Sequence, residues 1–124
     1  MSVDEGLFAW LQEALEPIGT VTKRPMMGGA ALYLDGTVFA IMGEGELWFK
    51  ADAQTDQSWD AAGAERFTYE KGGKVAAMNY RRAPEQVQDD AEAMRSWAQL
   101  ALEAGLRAAA SRKPKRSAAR RRAS

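Results

Sequence analysis

Carboxylates are the side chains of this chain most able to do chemistry. Asp52, Asp56 and Asp60 follow one another at four-residue intervals, a spacing that lines one side of a helix. Such an oxygen-rich row suits magnesium or calcium. The first two aspartates equally suit the partial positive charge of a helix N-terminus, and solvation with that dipole contact is the simpler account. The pairs Glu44/Glu46 and Asp89/Asp90 are spaced like acid–base partners, yet each falls where a turn or a helix cap already calls for an acid. The chain has no histidine and no cysteine. That composition excludes Cys/His zinc sites, disulfides, a thiolate nucleophile and a Ser-His-Asp relay. Neither Gly-x-Ser-x-Gly nor Ser-x-x-Lys occurs. A non-enzymatic protein without metal or cofactor is the expectation.

A second chemistry is gathered near the C-terminus. Bases and acids both number 17, so the formal charge is zero. Yet Arg107, Arg112, Lys113, Lys115, Arg116, Arg120, Arg121 and Arg122 stand in residues 107–124 without one acid among them. Residues 1–106 are left with nine bases against 17 acids, a net of −8. Eight clustered cations can neutralise phosphates and release condensed counterions, which is affinity for nucleic acid without base reading. A solubilising extension, or a segment lying on its own acidic body, are the alternatives. After Ala110 the composition is Ala, Ser, Lys and Arg with Pro114, so the expectation is a domain over 1–110 and a flexible basic tail over 111–124.

These groups need a frame. Leu7, Phe8, Leu11, Ala14 and Leu15 recur at helical spacing, with Ser2 and Glu5 as a capping box and Pro17 and Gly19 as a stop. Residues 20–26 read as an extended lead-in, held at an edge or bent by Pro25. Three short strands follow, near 30–34, 37–42 and 46–50, joined by Asp35-Gly36 and Gly43-Glu44-Gly45; an Asp-Gly pair between apolar runs is a strong hairpin signal. A helix over 52–62 stops at Gly63. Strands near 66–70 and 74–80 flank Lys71-Gly72-Gly73. Asp89 or Asp90 caps a last helix to about Ala109, with Met94, Trp97, Ala98, Ala101, Gly105 and Ala108 as its buried stripe. The order α-β(3)-α-β(2)-α predicts an α+β fold with one antiparallel sheet of about five strands.

Strand alternation predicts a partner. Val38, Ala40 and Met42 face opposite to Phe39 and Ile41, and Trp48 opposite to Leu47 and Phe49, so both sheet faces read as apolar. A two-layer protein covers one such face, and a homodimer through the face carrying Val38, Ala40, Met42 and Trp48 is the expectation. Arg24, Met26 and the Gly28-Gly29 turn allow two readings. In one, bare backbone N–H groups and a guanidinium hold an anion or small ligand beside Tyr33. In the other, the glycines only permit a tight turn and Met26 fills core. The end of the last strand, Tyr80-Arg81-Arg82, reads as solvated. Met-Ser-Val-Asp-Glu opens the chain without a basic n-region, and no run approaches the roughly 20 apolar residues of a membrane span. A cytoplasmic protein that does not meet a membrane is expected.

From Arg24 to Asp52 the chain resembles the TfoX/Sxy N-terminal domain family: Arg24-Pro25-Met26-Met27-Gly28-Gly29, Leu32-Tyr33-Leu34-Asp35-Gly36, Phe39-Ala40-Ile41 and Leu47-Trp48-Phe49-Lys50-Ala51-Asp52. The likeness continues through Ala62-Gly63, Phe67-Thr68-Tyr69, Ala77-Met78-Asn79-Tyr80 and Trp97-Ala98, and spans roughly residues 4–106. It implies a two-layer fold like that of secretion chaperones. It also implies a regulator of natural competence that works with a transcription activator of the cyclic-AMP receptor type or with RNA polymerase. Longer members carry a further C-terminal helical domain where this chain has its cations. A dimeric protein-binding adaptor is the alternative from another class.

Overall fold

The computed structural model describes residues 5–123 apart from Met27 and Glu44, with side chains as far as Ser111. The capping box expected at Ser2 lies outside the described residues. Helix α1 (Glu5–Leu15) turns its apolar stripe inward, burying Leu11, Ala14 and Leu15. The chain then reverses through the sheet as β1 (Val21–Met26), β2 (Gly29–Leu34), β3 (Thr37–Gly43) and β4 (Glu46–Lys50). Helix α2 (Asp56–Ala61) precedes β5 (Arg66–Lys71) and β6 (Lys74–Arg82), and a 3₁₀ turn (Glu85–Gln88) leads into α3 (Ala91–Ala123).

One antiparallel sheet orders the strands β1-β2-β3-β4-β6-β5, so the fold is α+β with six strands rather than five. The added strand is the expected lead-in. It pairs with β2 from Val21↔Leu34 to Met26↔Gly29, and because it is the sheet's edge it accommodates Pro25, which cannot donate to a ladder. The expected Asp-Gly hairpin forms, with Asp35 at φ 49 and Gly36 at φ 86.

Between β2 and β3 the register slips. Leu32 pairs with Ala40 but Tyr33 with Val38, which leaves Phe39 as the extra residue of a bulge. Phe39, Ala40 and Met42 consequently all enter the core, while Val38 follows Tyr33 to the other face. The expectation that Val38, Ala40, Met42 and Trp48 share a face therefore holds for Val38 and Trp48 only.

The helices pack on one side of the sheet over a line of rings. Phe49 meets Phe39 at 6.3 Å and Trp59 at 5.7 Å between centroids, and Trp59 stacks on Trp97 at 4.6 Å. Asp90 caps α3, its Oδ1 accepting the N–H groups of Glu92 (3.0 Å) and Ala93 (3.1 Å). The backbone of α3 continues as helix beyond Ala109, where the apolar stripe ends. At Gly105 this helix lies so close to β3 that a Cβ would run into the Val38 carbonyl oxygen.

Asp52 stands before α2 rather than inside it. Its carboxylate accepts the Thr55 N–H (3.1 Å), and the Thr55 hydroxyl in return accepts the Asp52 N–H (2.9 Å). The same carboxylate receives Arg107 of α3 through two bonds, Nε to Oδ2 at 2.7 Å and Nη2 to Oδ1 at 3.1 Å. Arg107 is thus a clamp between α3 and the end of β4. Its hydrogen bonds, ahead of the opposing effect of burial, hold the Asp52 carboxyl below the ordinary aspartate range.

Two outcomes are expected. Gly105→Ala lowers stability by about 1–3 kcal/mol through overpacking, although alanine favours a helix by about 1 kcal/mol; a raised urea midpoint would contradict the close seating of α3. Because Asp52 titrates in the folded state below its unfolded value of 3.8, its contact stabilises the fold above that value and is lost as acid protonates it. The difference in urea midpoint between the natural chain and Asp52→Asn is therefore expected to stay level from about pH 7 to about pH 5 and to close below about pH 4. A difference that ignores pH would sink the assignment.

Candidate functional site

Every second strand residue points away from the helices. On β2 the buried Leu32 and Leu34 alternate with Ala31 and Tyr33, and on β4 the buried Leu47 and Phe49 alternate with Glu46, Trp48 and Lys50. On β1, Lys23 turns toward α1, its ammonium 2.8 Å from Glu5 and 4.4 Å from the Phe8 ring. Its neighbour Arg24 therefore stands on the open side, with its guanidinium 5.6 Å from the Tyr33 ring. No helix among the described residues packs over this face.

Rings dominate its centre. Trp48 meets Phe67 edge-on at 5.0 Å, Phe67 lies 6.4 Å from Tyr69, and the Lys50 ammonium sits 5.1 Å over Tyr80. Burial, and then the neighbouring Tyr33, push the Tyr80 hydroxyl above the ordinary tyrosine range. Beyond Tyr80, strands β5 and β6 project as a two-stranded arm, because β4 pairs with β6 only through Lys50↔Tyr80, Phe49↔Arg81 and Trp48↔Arg82. Tyr69 and Met78 on that arm are 39% and 37% exposed.

The charges on this face are not those of the whole body. Pleat parity places Arg24, Lys50, Lys71, Lys74 and Arg82 there, against the carboxylates of Glu46 and Glu65, which Arg82 already meets at 2.7 Å and 3.3 Å. Five cations against two acids, on a body whose net charge is −8, is a marked segregation.

The inward side uses its acids differently. Arg81 is 2% exposed and donates to Asp60 (2.8 Å), Asp56 (3.2 Å) and the Ala64 carbonyl (3.0 Å). It is a buried ion pair, not the solvated strand end expected, because β6 still pairs with Phe49 there and turns Arg81 under α2. The row Asp52, Asp56, Asp60 is therefore divided between Arg107 and Arg81, and among the described residues no three acidic side chains converge on one point.

The Gly28-Gly29 turn is also explained locally. Gly28 takes φ 70, and a Cβ on Gly29 would strike the Met42 carbonyl oxygen. Met26 is 45% exposed and fills no core, because the edge strand turns it to the open face with Arg24. Two grooves lie elsewhere, of about 610 Å³ beside Glu46, Glu65 and Glu85 and about 320 Å³ beside Asp52 and Arg107. Neither of these two is lined by Arg24 or Tyr33. Of the eight C-terminal cations, Arg107 is engaged with Asp52, and the side chains of Arg112, Lys113, Lys115, Arg116, Arg120, Arg121 and Arg122 lie outside the described residues. Among the described residues no helix is long and apolar enough to cross a membrane.

Residues 13–105 match the model of the TfoX N-terminal domain. Over 74 residues, 60% of this chain and 35% of the relative, the sequence is 36% identical to Protein Sxy of Escherichia coli. Over 66 residues, 53% of this chain and 32% of the relative, it is 29% identical to the DNA transformation protein TfoX1 of Aliivibrio fischeri. The chain spans about a third of the length of these relatives. The family match covers most of the chain, including β1 with Arg24, both sides of the sheet and α3 as far as Gly105: this chain belongs to the TfoX N-terminal domain family.

Proposed function

We propose that this protein is a non-enzymatic regulatory domain of DNA transformation, holding nucleic acid non-specifically through the cations that follow its folded body. The match over residues 13–105 supports the regulatory reading, as does a relative, aligned over 53% of this chain, that is named a DNA transformation protein. The cationic run carries the nucleic-acid reading. Arg107 is already committed to Asp52, so seven cations between Arg112 and Arg122 remain to meet phosphate. Acids of the body repel a polyanion, which confines its approach to cationic surfaces. Regulation rather than catalysis also fits the absence of imidazole and thiol from the composition.

The reading is tested on duplex DNA with the full chain and with a variant carrying glutamine at those seven positions, a change that leaves the Arg107 clamp intact. If about four cations engage, the binding constant of the natural chain is expected to fall with a log–log salt slope of about −3.6. The glutamine variant is expected to lose this binding. A variant that holds duplex DNA as well as the natural chain, with the same slope, would show that the run has no such role. In cells, loss of the protein is expected to lower transcription of uptake genes and transformation frequency together; unchanged frequency would sink the regulatory reading.

A further inference from the structure

We propose that the open face of the sheet binds single-stranded nucleic acid, with bases stacking on the rings of Tyr33, Trp48 and Tyr69 and phosphates meeting Arg24, Lys71 and Lys74. This surface is separate from the C-terminal cations, and the inference does not depend on them.

Charge decides which occupant the face fits. An isologous contact would bring the same net-cationic patch, five cations with two acids, against itself. The C-terminal run carries the same sign and is repelled as well. An anionic partner remains. The rings then decide its kind. Cations alone would suit any acidic polymer, but here they alternate with flat aromatic groups along neighbouring strands. Arg24 lies over Tyr33, Lys50 lies over Tyr80, and Tyr69 stands 39% exposed beside Phe67. Every nucleobase has a face to stack on such rings, whereas an acidic peptide has none to offer.

Duplex DNA is disfavoured by the same geometry. Its bases are already stacked within the helix, so it could use the cations of the face but not the rings. Arg82, opposite Trp48, bonds Glu46 and so links β6 to β4, and Arg81 bonded to Asp56 and Asp60 anchors the opposite side of the same strand. The β5–β6 arm carries Tyr69, Lys71 and Lys74 beyond the helices, where a flexible strand can follow it without meeting the acidic side of the body.

The test uses a fluorescent oligothymidylate of about 16 nucleotides, titrated into the full chain and into the variant with seven glutamines after Ser111. Both are expected to bind it, and the glutamine variant is expected to prefer it to a duplex. Tyr69→Ala is expected to weaken binding about tenfold, and Tyr69→Phe to keep it. Arg24→Gln and Lys74→Gln are each expected to reduce the salt slope by about 0.7. Circular dichroism checks folding, and the slope changes at Arg24 and Lys74 report on the face even if Tyr69→Ala weakens the arm. The inference is overturned if the glutamine variant releases the oligonucleotide, if it holds a duplex equally well, or if none of the substitutions on the face alters binding. Equal capture of polyglutamate, lost equally in Tyr69→Ala, would overturn it in favour of an acidic protein partner. Self-association of the full chain abolished by Arg24→Gln or Tyr69→Ala would overturn it in favour of a second copy. Because the C-terminal cations are tested on duplex DNA, failure there leaves the sheet result readable, and the reverse holds.

Discussion

The close approach of α3 to β3 at Gly105 determines which side of this sheet is closed. With no Cβ in the way, the helix lies against the Val38 carbonyl and packs on β3 and β4, with Met94, Ala98 and Ala101 buried in the core. Trp97, on the same helix, completes the stack of Trp59 and Phe49. A larger residue at 105 would lift α3, open the space occupied by those small side chains and part the indole rings. Once α1, α2 and α3 share one side, the other side of the strands has no helix of the described chain to cover it. The open face is thus a consequence of helix seating, and its side chains have to suit water or a partner.

The ionic contacts follow the same division. On the closed side, acids hold cations that belong to the fold: Asp52 holds Arg107, and Asp56 with Asp60 holds Arg81. Asp60 is largely exposed while Arg81 is buried, so the pair is partly solvated and the full desolvation cost of a buried carboxylate does not arise. Burying Arg81 removes one cation from solvent at the strand end, yet leaves Arg82 free to reach Glu46 and Glu65 on the other side of the strand. Successive arginines thereby join two different layers.

Much of this was legible in the sequence, and the failures have identifiable causes. Asp35-Gly36 and Gly72-Gly73 adopt the positive φ that their residue types permit, so both hairpins were readable. Pro25 lacks an N–H and so reads as a lead-in rather than a strand, although an edge strand such as β1 does not need one there. The Phe39 bulge was invisible to a period of two, because an inserted residue reverses the parity of everything before it without altering composition. That one residue moved Val38 away from Ala40 and Met42, which the regular β3–β4 register, with Ile41 opposite Trp48, already sets on the face away from Trp48. Arg81 escapes a local reading for another reason: its carboxylate partners lie 21 and 25 positions earlier in the chain, beyond any local pattern. The clamp between Asp52 and Arg107 spans 55 positions. The cationic character of the open face could have been found from sequence, since Arg24, Lys50, Lys71 and Lys74 each fall at the parity of a neighbouring ring. It was hidden by a count of charge over the whole body.

That hidden pattern changes how the net charge should be understood. A net of −8 spread evenly would repel phosphate from every direction. Here Arg24, Lys50, Lys71 and Lys74 lie on one face of the sheet, and many of the acids lie on helices and connections of the other. The fields of the two sides then act together, since the acidic side repels a polyanion that approaches it while the sheet side attracts one. Orientation is thereby selected before contact, at distances up to about a Debye length of 8 Å at physiological ionic strength. For an otherwise acidic small domain, separating charge by layer lets one surface repel and another attract the same class of partner, and the layer boundary is the sheet that Gly105 lets α3 close.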